Sequence, residues 1–235
     1  MANYLKIFKD TVRECGIVTV PSTAQSQSGE LLRFAEWVIQ AYIEIQDARH
    51  WRWMRKKFTV DTVDGTSVYA FGDCTDVEDS AVITRFKYWR LDDRRNPAKI
   101  YLKSAGVGAE AFMTWSKFDN FDYLYNFGSL QNQTGFPIHI TVNPNDDFEL
   151  GLSPHAVYVL RGEYHRSAQI LSADDDTPEM PSDYHSLIMY QAMKYYAQLE
   201  SAPEVLERAK DGMSRVMRQL IKNQAQPFRV GGPLA

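Results

Sequence analysis

The 235 residues suffice for one large domain, or a core domain with a sizeable insertion, and can bury an apolar core without disulfides or metal. A net charge of −4 argues against a general nucleic-acid binder held by phosphate neutralisation. Apolar residues make up 44% and charged residues 24%, as in an ordinary globular chain, but the 13% of aromatics is an excess that suits an assembling surface as well as a core.

The spacing of Leu5, Phe8 and Val12 predicts a short helix over 4–14, broken by Gly16 and Pro21. After a Ser/Gln-rich loop (22–28), Ser28 is placed to cap a helix running to about His50. Leu31, Ala35, Val38, Tyr42 and Ile45 form its buried face, and Leu32, Phe34 and Ile39 widen it enough for packing on two sides. Trp51 and Trp53 close the segment. The period then changes. Strands are expected over 57–62 and 66–71, joined as a hairpin through Val63-Asp64-Gly65. An acidic loop (73–79) leads to a strand over 82–91, whose antiparallel partner after the turn at 92–97 is 99–102. Phe112, Trp115, Phe118, Phe121 and Tyr125 suggest a helix within 110–125, followed by strands at 138–142, 148–152 and 156–164. Helices return over 183–199 and from about 203 to 223, the latter opened by a Ser201/Glu204 capping box with Pro203 in its first turn.

This order indicates an α+β fold: a helical bundle from 1–56 and 181–223, a β-rich antiparallel hairpin insertion over 57–180 with one helix near 110–125, and a flexible C-terminal tail over 224–235. No internal repeat is visible.

Catalytic signatures are missing. Gly106, Gly108 and Ala111 imitate a dinucleotide turn, but the strand before them reads as half of a hairpin, so a loop is expected. Glu163 and His165 share a strand face that should be exposed, with no third ligand or nucleophile beside them. Asp174-Asp175-Asp176 lacks the glycine and distal glutamate of a calcium loop and reads as a solvated loop. Cys15 and Cys74 make no CxxC pair, which suits a chain made in a reducing cytoplasm. No catalytic residue, metal or cofactor is expected. Residues 1–6 hold no apolar run resembling a signal peptide, and no stretch approaches the roughly 20 apolar residues of a membrane span.

Two basic surfaces are candidates for partner contact. Arg49, Arg52, Arg55, Lys56 and Lys57 surround the tryptophans, a composition used to grip nucleic acid, although cations also complement a helix C-terminus. Arg215, Arg218 and Lys222 share a face of the last helix, within a region (201–235) of six basic and three acidic residues.

Three stretches carry a family resemblance. One is Phe34 to Gln46 running into Trp51-Arg52-Trp53-Met54-Arg55 and on to Val68-Tyr69-Ala70-Phe71. Another is Gly135-Phe136-Pro137-Ile138 followed by Phe148-Glu149-Leu150 and Leu152-Ser153-Pro154. The last is Tyr158 to Tyr164, leading through Asp174 to Pro181 into Tyr184-His185-Ser186-Leu187-Ile188 and Ala192 to Ala197. Spanning most of 31–200 in this order, they resemble the head-to-tail adaptor (connector, or tail tubular) proteins of tailed phages. The resemblance implies a structural protein of the virion neck, made in the host cytoplasm. It also implies a homo-oligomeric ring of about twelve subunits that joins the portal to the tail. The partners would be the portal protein, a tail or stopper/nozzle protein and viral DNA passing through the channel without sequence-specific binding; no membrane is involved. The C-terminal tail would reach into the portal, with Phe228, Arg229 and Val230 inserted between portal subunits. A stopper or tail-terminator ring shares the composition, while the long final helix and tail favour the adaptor. A small hydrolase using Glu163, His165 or the acidic loop is the reading of another class.

Overall fold

The computed structural model describes residues 2–19, 21–93, 96–131 and 133–225. It is a mixed α+β protein. The helices are α1 (Tyr4–Glu14), α2 (Gly29–Asp47), α3 (Phe118–Tyr125), α4 (Ser186–Leu199) and α5 (Pro203–Gln224). The first six strands are β1 (Arg55–Asp61), β2 (Val68–Tyr69), β3 (Thr75–Asp76), β4 (Tyr88–Trp89), β5 (Lys99–Leu102) and β6 (Ala111–Phe112). They are followed by β7 (Thr114–Trp115), β8 (Thr134–Gly135), β9 (His139–Val142), β10 (Phe148–Gly151), β11 (Ser153–Pro154) and β12 (Tyr158–His165). The chain divides into two compact units, Met1–Trp53 with Ala168–Ala235, and Met54–Ser167.

In the first unit α1, α2, α4 and α5 pack on one another. The Asn3 side chain accepts from Lys6 N–H and starts α1, which buries Tyr4, Ile7, Phe8, Thr11 and Val12. On α2 the fully buried Phe34, Val38 and Tyr42 recur at steps of four, the period of one helical face. Ser28 stands at the cap position but makes no side-chain hydrogen bond there, because the chain enters α2 through Gly29 at φ +60°. At the other end the Trp51 indole N–H donates to the Ile45 carbonyl (2.6 Å), satisfying one of the last-turn acceptors, and its ring stacks on Trp53.

The Ser201/Glu204 capping box does not form. Ser201 adopts φ +53° and ends α4, where Ala202 N–H reaches back to the Ala197 carbonyl; Ala202 then precedes Pro203 at the start of α5. The tight reversal between α4 and α5 commits Ser201 to the first helix. The acidic run at 174–176 is the surface loop expected, with Asp175 exposed and Asp174 and Asp176 half-buried, but two of its carboxylates are hydrogen-bonded. Asp176 accepts from the N–H groups of Ser172 (2.6 Å) and Ala173 (2.7 Å), and Asp174 accepts from Ala24 N–H (2.8 Å). The carbonyls of Asp174 and Asp176 take the otherwise unpartnered N–H groups of Leu5 and Tyr4 at the start of α1.

In the second unit the larger sheet has the order β3-β1-β12-β5-β6, with β4 also on β12. The smaller sheet runs β2-β10-β9-β7, and β8 pairs β11 in parallel. The long antiparallel pair β1/β12 sets the register from Arg55↔His165 to Asp61↔Val159. Alternation therefore turns Phe58, Val60, Leu160 and Tyr164 inward, onto Tyr69, Ile140, Phe148 and Leu150 of the smaller sheet. Gly162 lies opposite Phe58, and a Cβ there would come within 2.7 Å of the Phe58 ring.

Two pairings and one helix boundary differ from the sequence expectation. β1 and β2 form no hairpin: β12 and β3 occupy both edges of β1, so β2 crosses to β10. Asp64-Gly65 still turns the chain: Thr66 N–H closes the turn onto the Val63 carbonyl (3.1 Å), and the Tyr69 hydroxyl braces it, accepting from Val63 N–H (2.9 Å) and donating to the Thr66 carbonyl (2.8 Å). β4 and β5 do not pair with each other; they follow one another along the same edge of β12. The helix expected over 110–125 begins at Phe118. Before it, Met113 is buried between exposed Phe112 and Thr114, a period of two, and the chain passes from the larger sheet (β6) to the smaller (β7). The strand before Gly106 is antiparallel to both neighbours, unlike the parallel strand of a dinucleotide fold.

Candidate assembly surfaces

The sheet face opposite the core carries Arg55, Lys57, Arg161, Glu163 and Lys99, as the β1/β12/β5 register requires. Glu163 and His165 do share this face, but both are buried, contrary to the exposure expected from sequence. The Arg55 guanidinium lies 2.5 Å from the Glu163 carboxylate, with Arg90 Nε at 3.7 Å, and the His165 ring stacks on Tyr88. Hydrogen bonding to Glu163 outweighs burial and pushes the Arg55 pKa up. The Glu163 carboxylate is thus taken up in ion pairing with two guanidiniums. Among the described residues no group of three His, Cys, Asp or Glu side chains is placed to hold a metal ion. Burial pushes the Cys15 thiol to about 12 and the Cys74 thiol up as well, which leaves both unreactive.

A second polar cluster ties β3 to β12. The buried Asp76 accepts from the Tyr164 hydroxyl (2.5 Å), from Arg166 (3.0 Å) and from Glu78 N–H (2.8 Å); Arg166 also pairs with Asp79. Burial pushes the Asp76 carboxyl upward, yet these hydrogen bonds outweigh it and hold the group below its ordinary value. Burial and the bond to Asp76 raise Tyr164 to about 12.

The basic residues of 49–57 do not act alike. Arg49 and Arg52 are exposed in the first unit. On β1, alternation sends Arg55 and Lys57 to one face and Lys56 to the other. Arg55 is taken by Glu163 and Lys56 by Glu78, which leaves Lys57 facing solvent. Arg215, Arg218 and Lys222 are all exposed on α5, where Arg218 Nε donates to the Ser214 carbonyl one turn back (3.0 Å). Phe228, Arg229 and Val230 lie outside the described residues.

Sequence reasoning missed a further surface. Phe112 (69% exposed), Tyr123 (78%) and Phe127 (74%) stand in solvent, and the last two stack across the C-terminal end of α3 with centroids at 6.4 Å. The signal was the aromatic density of 112–127, which the expected core-facing helix had absorbed. Exposed aromatics on a unit whose core is already filled are candidates for partner contact.

No helix among the described residues is long and apolar enough to cross a membrane. No curated protein matches the chain. The family model of the SU10 adaptor protein matches residues 10–234, nearly the full length. The chain therefore belongs to the SU10 adaptor protein family, a family of phage head-to-tail adaptors.

Proposed function

We propose that the protein assembles into a ring of about twelve copies between portal and tail, extending the channel through which viral DNA passes. Family membership supports the adaptor role, and the observation that carries self-assembly is the solvent-facing Phe112, Tyr123 and Phe127. In this reading helices from both chain ends form a bundle that carries the β-rich middle segment as an insertion. The exposed basic face of α5 (Arg215, Arg218 and Lys222) meets the portal, and a tail or nozzle protein takes the opposite side. Neutralisation of Arg55 and Lys56 by carboxylates supports a lumen that lets duplex DNA slide without sequence-specific contact. The test is to mix the protein with purified portal rings of its own phage and follow mass by light scattering. A stable complex in which each portal ring gains the mass of many subunits is expected; separate elution at all ratios overturns the proposal.

A further inference from the structure

The outward face of α5 carries a stripe of charge that changes sign at its middle. Glu204, Glu207, Asp211, Arg215, Arg218 and Lys222 follow one another at steps of three and four, so they share one side of the helix, away from the buried Ala209, Val216 and Leu220. All six are exposed, and among the described residues no ion pair joins any of them to another group. Arg208, beside the acidic half, is drawn off to Glu14 of α1, whose carboxylate lies 3.9 Å away and whose carbonyl accepts its hydrogen bond. The stripe is therefore acidic over its N-terminal half and basic over its C-terminal half.

An isolated helix does not favour this arrangement. Its dipole welcomes an acid in the first turn and a base in the last, which accounts for Glu204 and Lys222. The effect fades beyond those turns and does not account for Glu207, Asp211, Arg215 or Arg218. Glu204 and Glu207, Glu207 and Asp211, Arg215 and Arg218, and Arg218 and Lys222 are like charges three or four residues apart, each a mild repulsion along the helix. Segregated charge becomes favourable when a surface with the opposite order of signs lies against the stripe, and the same stripe read backwards has that order. Laid antiparallel about the middle of α5, Asp211 meets Arg215 of the other copy, Glu207 meets Arg218 and Glu204 meets Lys222, each pair occurring twice. Laid parallel in register, acid would meet acid. A single stripe faces its own copy only across a two-fold axis, whereas neighbours in a many-membered ring are turned by a small angle and offer each other different faces.

We infer that in the free protein the charged face of α5 pairs antiparallel with the same face of a second copy. The stripe spans about 27 Å at the helical rise per residue. A contact of that length built from charged side chains belongs with the small, transient interfaces, and salt weakens it. A two-fold pair cannot be the repeat of a cyclic ring, so it has to part before a copy takes its place there. Until then it covers Arg215, Arg218 and Lys222, the residues assigned above to the portal. The pairing itself does not rest on that assignment or on the ring.

The test is analytical sedimentation of the free full-length chain. Dimers are expected at about 0.05 M salt, and raising the salt to about 0.5 M should weaken the association about ten-fold. Arg215→Glu with Arg218→Glu, and separately Glu207→Lys with Asp211→Lys, should each be monomeric; circular dichroism checks that both keep the helix content of the parent. Mixing the two variants should restore a dimer, because a mostly acidic stripe then meets a mostly basic one. A short bismaleimide should join Glu204→Cys chains to Lys222→Cys chains and neither population to itself, with Cys15 and Cys74 buried out of reach. Monomers alone at low salt, larger species without a dimer, a dimer that survives both charge reversals, or cross-linking of each cysteine population to itself overturns the inference. None of these outcomes touches the ring, which is measured in the presence of portal.

Discussion

Replacing Gly162 by alanine tests whether the β1/β12 register and the packing of the second unit are as described. Gly162 faces the core opposite Phe58, and an added Cβ would approach the Phe58 ring to 2.7 Å and Leu91 Cδ2 to 2.9 Å. The ring has little room to retreat: Trp89 and Phe148 centroids lie 4.7 and 5.9 Å away, and neither Phe58 nor Phe148 has any exposed surface. Gly162 does not use left-handed backbone, so the substitution adds no conformational strain and relieves about 0.5–1 kcal/mol of glycine's entropic cost in a strand. Overpacking costs about 1–3 kcal/mol, which outweighs that relief. The net expectation is a loss of about 1–2 kcal/mol, or roughly 2–8 °C in Tm at this chain size. Urea titration with calorimetry measures it. The double variant with Phe58→Leu should be less destabilised than the sum of the single variants, since the smaller side chain vacates the contested space. A Gly162→Ala protein as stable as the parent, or additive behaviour in the pair, refutes the packing.

Three further outcomes are expected. The folded Asp76 carboxyl lies below its ordinary 3.8, so its stabilisation is complete above that pH and is lost as pH falls through the folded value; Asp76→Asn should flatten this acid limb in pH-dependent denaturation and cost on the order of 3 kcal/mol by leaving Arg166 with less compensation. Trp51→Phe deletes the donor to the Ile45 carbonyl and should cost about 1–2 kcal/mol in chemical denaturation, with unchanged helix content by circular dichroism. Arg215→Glu with Arg218→Glu should shift stability by less than about 0.5 kcal/mol, as both are exposed, while weakening portal binding in a pull-down at least about ten-fold.

Local signals were readable in the sequence and pairing choices were not. The bounds 4–14 expected for the first helix are those of α1, and α2 keeps the Val38-Tyr42-Ile45 face, because helix period is a property of consecutive residues. The Asp64-Gly65 turn was equally legible, but which strand lies beside β1 depends on β12, about a hundred residues away. Separation in sequence also hid the fate of the basic residues: nothing beside Arg55 announces Glu163, 108 positions on, and nothing beside Lys56 announces Glu78, 22 positions on. Glu163 and His165 were correctly put on one face, yet their burial depends on Arg55, Arg90 and Tyr88, which come from other strands and loops. The exposed aromatics show the converse error, since density alone does not say which side of the core surface a ring occupies.

The central claim is tested most directly by cryo-electron microscopy of the neck of the phage particle. The account predicts a closed ring of this chain stacked coaxially between portal and tail, with α5 toward the portal and the DNA channel running through its centre. A neck in which portal and tail meet without this protein, or in which it sits as isolated copies off the channel axis, contradicts it.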